Sequence, residues 1–202
     1  MASDGKHAFL INSNKAFYSL PADNKLGLVD LTTAQPAPDA AIESPQGLCR
    51  VDDGHLLICT KSQVVTLHVV TGKTTPLISD LSAPRAVTID AQGRISVSDV
   101  GDSQQIKGFS RDGKPLDILG REGGRAAMVL KYDPIELRNI VGLAIGVGLA
   151  IGVDQRIWAV EASPLRRGTT FSTEGKWLTD LSGPVAYNVF GPDLDDMSTI
   201  CF

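Results

Sequence analysis

Apolar and polar residues alternate in several short segments of the chain, and turn-forming residues separate these segments. In residues 84–99 the alternation is regular, so that Val87 and Ile89 are predicted to face one side of a sheet and Thr88 and Asp90 the other. A period of two residues is typical of a strand, whereas a helix repeats about every 3.6 residues. The pattern therefore predicts short antiparallel strands joined by tight turns.

These strands belong to a larger unit that repeats along the chain. Two turn positions recur in the units: Gly54, Gly93 and Gln155 for the first turn, and Gly72, Gly113 and Gly175 for the second. The unit contains four predicted strands over about 40 residues. Such a sheet cannot bury both of its faces alone, whereas sheets stacked around an axis can. We therefore predict an all-β protein, a β-propeller of four-stranded antiparallel blades.

The chain is long enough for about four blades and the start of a fifth. We expect one domain over residues 1–202, with blades at roughly 5–44, 45–83, 84–138 with an insertion, and 139–183, followed by a tail at 184–202. A six-bladed propeller needs about 240 residues at about 40 per blade. The chain is therefore either a four-bladed ring or part of a larger propeller. In a four-bladed ring, residues 198–202 could pair with an N-terminal strand.

Composition and charge exclude several classes of protein. The 202 residues are 43% hydrophobic and 21% charged, which excludes a disordered chain, and the net charge of -4 argues against binding to nucleic acid or to an anionic membrane. No apolar leader begins the sequence, and the uncharged run at 139–153 is shorter than the about 20 residues of a membrane-spanning helix. We expect a cytoplasmic protein by default, or a secreted or periplasmic one if the chain belongs to a longer precursor.

Three segments of the chain resemble the NHL repeat, a family of β-propeller blades. Residues 153–183 resemble one copy, and residues 45–77 a degenerate one. The resemblance is clearest in residues 84–124, which carry the motif segments 90–93, 97–102, 106–109, 112–113 and 120–124. Families of similar sequence usually form six-bladed propellers that act as binding scaffolds, and a minority of related folds are metal-assisted lactonases or lyases.

The resemblance implies a non-enzymatic scaffold that binds a protein or a small ligand through loops on one face of the propeller. Two alternatives stay open. One is a metal-assisted hydrolase or lyase that uses acidic residues at the mouth of the central channel. The other is a truncated propeller without an autonomous function.

Acidic residues follow the second strand in two of the units. The aligned positions are Leu20, Thr60, Asp99 and Glu161. If this strand end lies at the mouth of the channel, Asp99 and Glu161 converge there and could hold Ca²⁺ or another divalent cation. The alternative is that Asp99 hydrogen bonds to the following turn, which contains Asp102. No other cofactor is predicted.

Two arginines complete the ligand-binding set that we predict. Arg166 and Arg167 are expected in the loop between the second and third strands of the last unit. Together with Asp99, Asp102 and Glu161 they are the candidate ligand-binding residues. No catalytic residue is predicted, because the sequence has no Gly-x-Ser-x-Gly motif and no Cys/His constellation.

The histidines and cysteines suggest no further chemistry. His7, His55 and His68 share no strand position, and we expect His68 to pack inside a blade because the aligned residues of the other units are apolar. The turn position of His55 carries a basic residue in each unit, which favours a solvated ring of charge or a face that binds phosphate or acidic peptides. Cys49 and Cys59 are expected to be buried, reduced thiols.

An insertion at about residues 125–147 separates the last two units. It includes residues 131–138, expected to form a helical turn or a long loop, and it overlaps a tandem hexamer, VGLAIG, at 141–146 and 147–152. Because six is an even number, either copy can occupy the innermost strand with the same side chains toward the core. The other copy could pair with the edge of a partner, so edge-strand self-association is also possible.

Overall fold

The computed structural model describes most of the middle of the chain. The described residues are 2–3, 8–12, 15–20, 23, 25–30, 33, 35–126, 133–145, 156–161, 167–182, 191–192 and 200–201. The regular structure in these ranges consists of β-strands, so the all-β prediction is confirmed. In the same ranges, no helix has the length and apolar character needed to cross a membrane.

Consecutive strands pair antiparallel and form separate sheets. The first sheet contains β1 (Ala2–Ser3), β2 (Ala8–Asn12), β3 (Lys15–Leu20), β4 (Lys25–Asp30) and β5 (Gln35–Ala41). The second contains β6 (Leu48–Arg50), β7 (His55–Cys59), β8 (Val64–His68) and β9 (Thr74–Ile78). The third contains β10 (Pro84–Ile89), β11 (Ile95–Asp99), β12 (Gln105–Phe109) and β13 (Pro115–Leu119). The fourth contains β14 (Ile140–Ile145), β15 (Ile157–Glu161), β16 (Arg167–Phe171) and β17 (Trp177–Ser182).

The second strand of a blade is buried on both of its faces. In β7, Leu56 and Ile58 pack in the core shared with the first sheet, whereas Leu57 and Cys59 pack in the core shared with the third sheet. Alternate side chains of a strand point to opposite faces, so a strand between two sheets needs apolar residues at successive positions. This explains why β7 has a continuous apolar run.

Three apolar cores lie between successive sheets. The core between the third and fourth sheets is formed by Ala86, Ile106, Leu119, Leu137, Ile140, Leu143, Ile157, Ala159 and Phe171. The first strands of the second, third and fourth sheets also lie side by side, since β6 contacts β10 and β10 contacts β14, and in the first sheet, which has the additional strand β1, it is β2 that contacts β6. Sheets that stack in chain order with their first strands adjacent form a β-propeller.

The described strands do not close into a ring. A fifth sheet begins with β18 (Gly191–Pro192) and β19 (Ile200–Cys201), which pair antiparallel. The predicted four blades and the start of a fifth are therefore present. Within the described residues, the last strand, β19, pairs with its chain neighbour β18 and with no N-terminal strand.

The extra length between the third and fourth sheets is not one continuous insertion. β14 begins at Ile140, so residues 141–145 of the first hexamer copy form the innermost strand of the fourth sheet. The second copy lies outside the described residues. The expected insertion at 125–147 is thus wrong at its C-terminal end, because β14 starts earlier than the repeat spacing suggests. In the segment that precedes β14, the N–H of Glu136 donates to the carbonyl oxygen of Asp133 (3.1 Å) and closes a turn.

Candidate functional site

The connections between sheets leave from one end of the strands, and we call this end the connection face. It carries the segments 42–47, 60–63, 79–83, 100–104, 120–126 and 133–139. The segments hydrogen bond to one another: the N–H of Leu81 donates to the carbonyl oxygen of Ser62 (3.1 Å), and the N–H of Gly123 donates to that of Ser103 (3.0 Å). The loops predicted to bind a ligand therefore belong to a surface with internal support.

Asp99 anchors the segment that leads into its own sheet. It is the last residue of β11, and its side chain is buried. Its Oδ1 accepts a hydrogen bond from the N–H of Ala83 (2.6 Å), and its Oδ2 accepts from the N–H of Ser82 (3.0 Å) and from the Lys107 ammonium (2.7 Å). Burial by itself raises the pKa of a carboxyl group, but these donors outweigh it, and the pKa of Asp99 lies below its ordinary value.

Glu161 occupies the same position in the fourth sheet and has the same role. It is the last residue of β15, and it is buried. Its Oε1 accepts a hydrogen bond from the N–H of Arg138 (3.0 Å), just before β14, and its Oε2 accepts from the Arg125 guanidinium (2.7 Å). In both sheets, a carboxylate at the end of the second strand fixes the segment that enters the first strand.

The sequence predicted that Arg167 lies in a loop, and this prediction was wrong. It is the first residue of β16, lies opposite Glu161 in the strand pairing, and is buried. Its guanidinium donates to both carboxylate oxygens of Glu161 (3.2 Å each), to Asp180 Oδ2 (2.9 Å) and to the carbonyl oxygen of Pro134 (3.0 Å). Arg167 therefore ties the segment 133–139 to the fourth sheet.

The buried ion pairs of the fourth sheet balance in charge. Two guanidinium groups, of Arg125 and Arg167, face the two carboxylates of Glu161 and Asp180. Taking charges out of water is unfavourable unless each is paired and hydrogen bonded, and here each is. The cluster positions the connection face without offering a free charge to a ligand.

The structure brings only part of the predicted ligand-binding set together. Glu161 and Arg167 are in contact, whereas the hydrogen bonds of the Asp99 carboxylate go to Ser82, Ala83 and Lys107. Asp102 is exposed in the loop after β11. Arg166 lies outside the described residues. Of the five predicted residues, Asp102 is the one described with its side chain at the surface of the connection face.

The alignment of strand ends was wrong in the second sheet. Asp99 and Glu161 each pair with the first residue of the next strand, and in the second sheet the corresponding pair is Cys59 and Val64. Cys59, not Thr60, therefore occupies the position of the two carboxylates. Its side chain is buried, and burial raises the pKa of the thiol, so it stays protonated and packs as an apolar group.

Each oxygen of the two carboxylates already accepts at least one hydrogen bond. Both oxygens of Asp99 and both oxygens of Glu161 accept hydrogen bonds from N–H donors, and each carboxylate is paired with a cationic side chain. Within the described ranges, no group of three or more His, Cys, Asp or Glu side chains is arranged to hold a metal ion. The geometry thus favours a structural role for Asp99 and Glu161.

Backbone strain marks the connection face. Among the described residues, those other than glycine with positive φ are Ser44 (44°), Asp80 (61°), Gln104 (49°) and Asn139 (50°), and all four lie on this face. Sequence reasoning missed them, because none is of a type that requires this conformation. Two of them support each other, since the N–H of Asn139 donates to Oε1 of Gln104 (2.6 Å). Asn139 is also held by Arg85, whose guanidinium donates to its Oδ1 (2.9 Å).

No protein-family model matches the sequence, and no curated protein matches it. Among solved structures, the chain is similar to hydrazine synthase of Kuenenia stuttgartiensis, with 12% sequence identity and a TM-score of 0.68 over 96% of this chain and 53% of that one. It is also similar to a chain of the nidogen/laminin complex, with 16% identity and a TM-score of 0.66 over 88% of this chain and 64% of that one.

Both neighbours are β-propeller proteins, so the likeness shows that the chain has this fold. The chain spans less than two thirds of the length of each. In all, 677 solved chains match, and a fold this widespread does not by itself indicate an activity.

Proposed function

We propose that this protein is a non-enzymatic scaffold, of the NHL-repeat type, that binds a protein or a small ligand through its connection face. The clustering of backbone strain carries the proposal, since the non-glycine residues with positive φ in the described ranges all lie there. At the opposite end of the sheets, the described residues with positive φ are turn glycines, for which this conformation is not strained. Strained backbone persists where surrounding contacts hold it, and it clusters at binding and switch regions.

The support beneath the connection face favours binding. Asp99 and Glu161 fix the segments that enter the third and fourth sheets, and Arg121 pairs on the surface with Asp133 (2.7 Å) and with Glu136. A surface already held in one conformation loses less conformational entropy when a ligand binds. The resemblance to NHL repeats supports the same function, and one structural neighbour is itself part of a complex, that of nidogen and laminin.

Selection of peptides that bind the chain tests this proposal. A displayed library of random peptides is selected on the full chain, and the binding of each selected peptide is measured on two variants. Asp102→Arg reverses an exposed charge on the connection face, and Asp112→Arg makes the same change in the turn after β12, at the opposite end. Both variants should keep the unfolding transition of the parent, because both side chains are exposed.

The expected result is that the selected peptides compete with one another and lose affinity on Asp102→Arg but not on Asp112→Arg. Peptides that lose affinity only on Asp112→Arg, or that bind both variants as well as the parent, would contradict a binding site on the connection face.

A further inference from the structure

His55 and His68 face each other at the end of the second sheet opposite the connection face. They are direct cross-strand partners in β7 and β8. The backbone N–H of His55 donates to the carbonyl oxygen of Asp52, and that of His68 donates to the carbonyl oxygen of Lys73. His55 and His68 are therefore a cross-strand pair without hydrogen bonds between their own backbones. Side chains come closest in such pairs. The two ring centroids are 5.1 Å apart, and the ring planes are perpendicular.

Asp52 sets the orientation of the His55 ring. The Nδ1 atom of His55 lies 2.9 Å from Oδ1 and 3.2 Å from Oδ2 of the Asp52 carboxylate. An ionised carboxylate only accepts hydrogen bonds, so Nδ1 carries the proton and Nε2 keeps its lone pair. The Asp52 side chain is exposed, and an exposed aspartate is ionised at neutral pH. A carboxylate behind an imidazole is the usual outer partner of a metal-binding histidine.

We propose that His55 and His68 form a two-histidine site for a divalent transition metal ion such as Zn²⁺, with water completing its coordination. Imidazole nitrogen binds zinc at about 2 Å in tetrahedral geometry, which puts the centres of two rings on one ion about 5 Å apart. The separation of 5.1 Å between the two ring centroids fits this requirement. Imidazole ligands suit zinc, copper and nickel and not the harder calcium and magnesium ions.

His68 must give up one hydrogen bond when the ion binds. Its Nδ1 accepts from the N–H of Thr71 (3.2 Å), so the ring proton of neutral His68 is on Nε2. Coordination through Nε2 moves this proton to Nδ1 and releases the N–H of Thr71. Thr71 is exposed, so water replaces the lost partner. With two protein ligands, the site binds its ion more weakly than a structural zinc site with four.

Calorimetric titration of the full chain with zinc chloride tests the site. We expect binding of one ion per chain. His55→Asn and His68→Asn should each weaken it at least about tenfold, and Asp52→Asn, which loses the orienting carboxylate, should weaken it about tenfold. The control is His7→Asn, which removes the remaining histidine of the chain and should leave the affinity unchanged.

Two results would overturn the proposal. One is the absence of binding at millimolar zinc. The other is zinc binding that is as tight in His55→Asn and in His68→Asn as in the parent. Because the two rings are partly exposed, the variants should unfold at the same urea concentration as the parent, and this measurement separates the loss of a ligand from the loss of the fold.

Discussion

The carboxylate of Glu161 lies 2.7 Å from the guanidinium of Arg125, and both side chains are almost completely removed from solvent. The two residues are 36 positions apart, at the end of β15 and in the segment that connects the third and fourth sheets. This ion pair therefore joins the connection face to the interior of a blade, and the first prediction concerns its strength.

Glu161→Gln should destabilise the protein by about 3–5 kcal/mol, because it leaves the buried charges of Arg125 and Arg167 without their shared partner. Arg121→Met is the matched control. It removes ion pairs with Asp133 and Glu136 in which the Arg121 side chain is 53% exposed, and it should cost less than about 1 kcal/mol. Urea unfolding measures both values. Equal losses in the two variants would contradict the structural role of Glu161.

Asp99 should make stability depend on pH in acid. Its pKa is lower in the folded chain than in the unfolded chain, so its contribution is complete above the ordinary pKa of about 4 and is lost as the pH falls through the folded value. Lys107→Met removes a donor that lowers this pKa. We therefore expect Lys107→Met to unfold at a higher pH than the parent when acid unfolding is followed by circular dichroism.

The control for Lys107 is Lys61→Met, which removes an exposed lysine in the loop after β7. It should leave the midpoint of acid unfolding where it is in the parent. A shift of the same size in the two variants would mean that net charge, not the Asp99 ion pair, sets the midpoint.

Deletion of one hexamer should leave the fold intact. Removing residues 141–146 or 147–152 yields the same polypeptide, and it shortens the connection from β14 to β15 from the eleven residues 146–156 to five. Five residues also separate the paired Ile89 and Ile95 in the third sheet. Loop-closure entropy predicts a gain of about 0.5–1 kcal/mol in the free energy of unfolding. A loss of stability would show that the second copy has a structural role.

Two turn glycines of equivalent position should respond differently to alanine. Gly72 and Gly113 both have positive φ, but a Cβ on Gly72 has no neighbour within 4 Å, whereas one on Gly113 would lie 2.2 Å from the carbonyl oxygen of Leu77. Gly72→Ala should cost about 1 kcal/mol from backbone strain alone. Gly113→Ala should cost about 2 kcal/mol or more beyond that, because Leu77 is in the neighbouring sheet and must move. Thermal unfolding of the two variants measures both losses of stability. Equal losses would contradict the close contact between Gly113 and Leu77 of the neighbouring sheet.

The blades could be predicted from the sequence because their information is local. Alternation along a strand and glycine at a turn are visible within a few residues, and they identified β7, β10 and β11. The position of Asp99 and Glu161 at equivalent strand ends was visible for the same reason. Thr60 was misaligned because β7 begins one residue after the turn glycine Gly54, whereas β11 begins two residues after Gly93.

The contacts of the site could not be predicted, because they join residues distant in the chain. Nothing near Glu161 in the sequence indicates that Arg125 reaches it, and the burial of Arg167 depends on where β16 begins. The pairing of His55 with His68 was missed for a related reason. It requires the register of the β7–β8 hairpin, whereas a comparison of aligned positions between units places the two histidines in different slots.

The central claim, that the connection face is the binding face, is tested most directly by hydrogen–deuterium exchange of the chain with and without a selected peptide. We predict slower exchange of amides in residues 79–83 and 100–104 when the peptide is bound, with no change in the turns at 90–94 and 110–114. Protection confined to those opposite turns would contradict the claim.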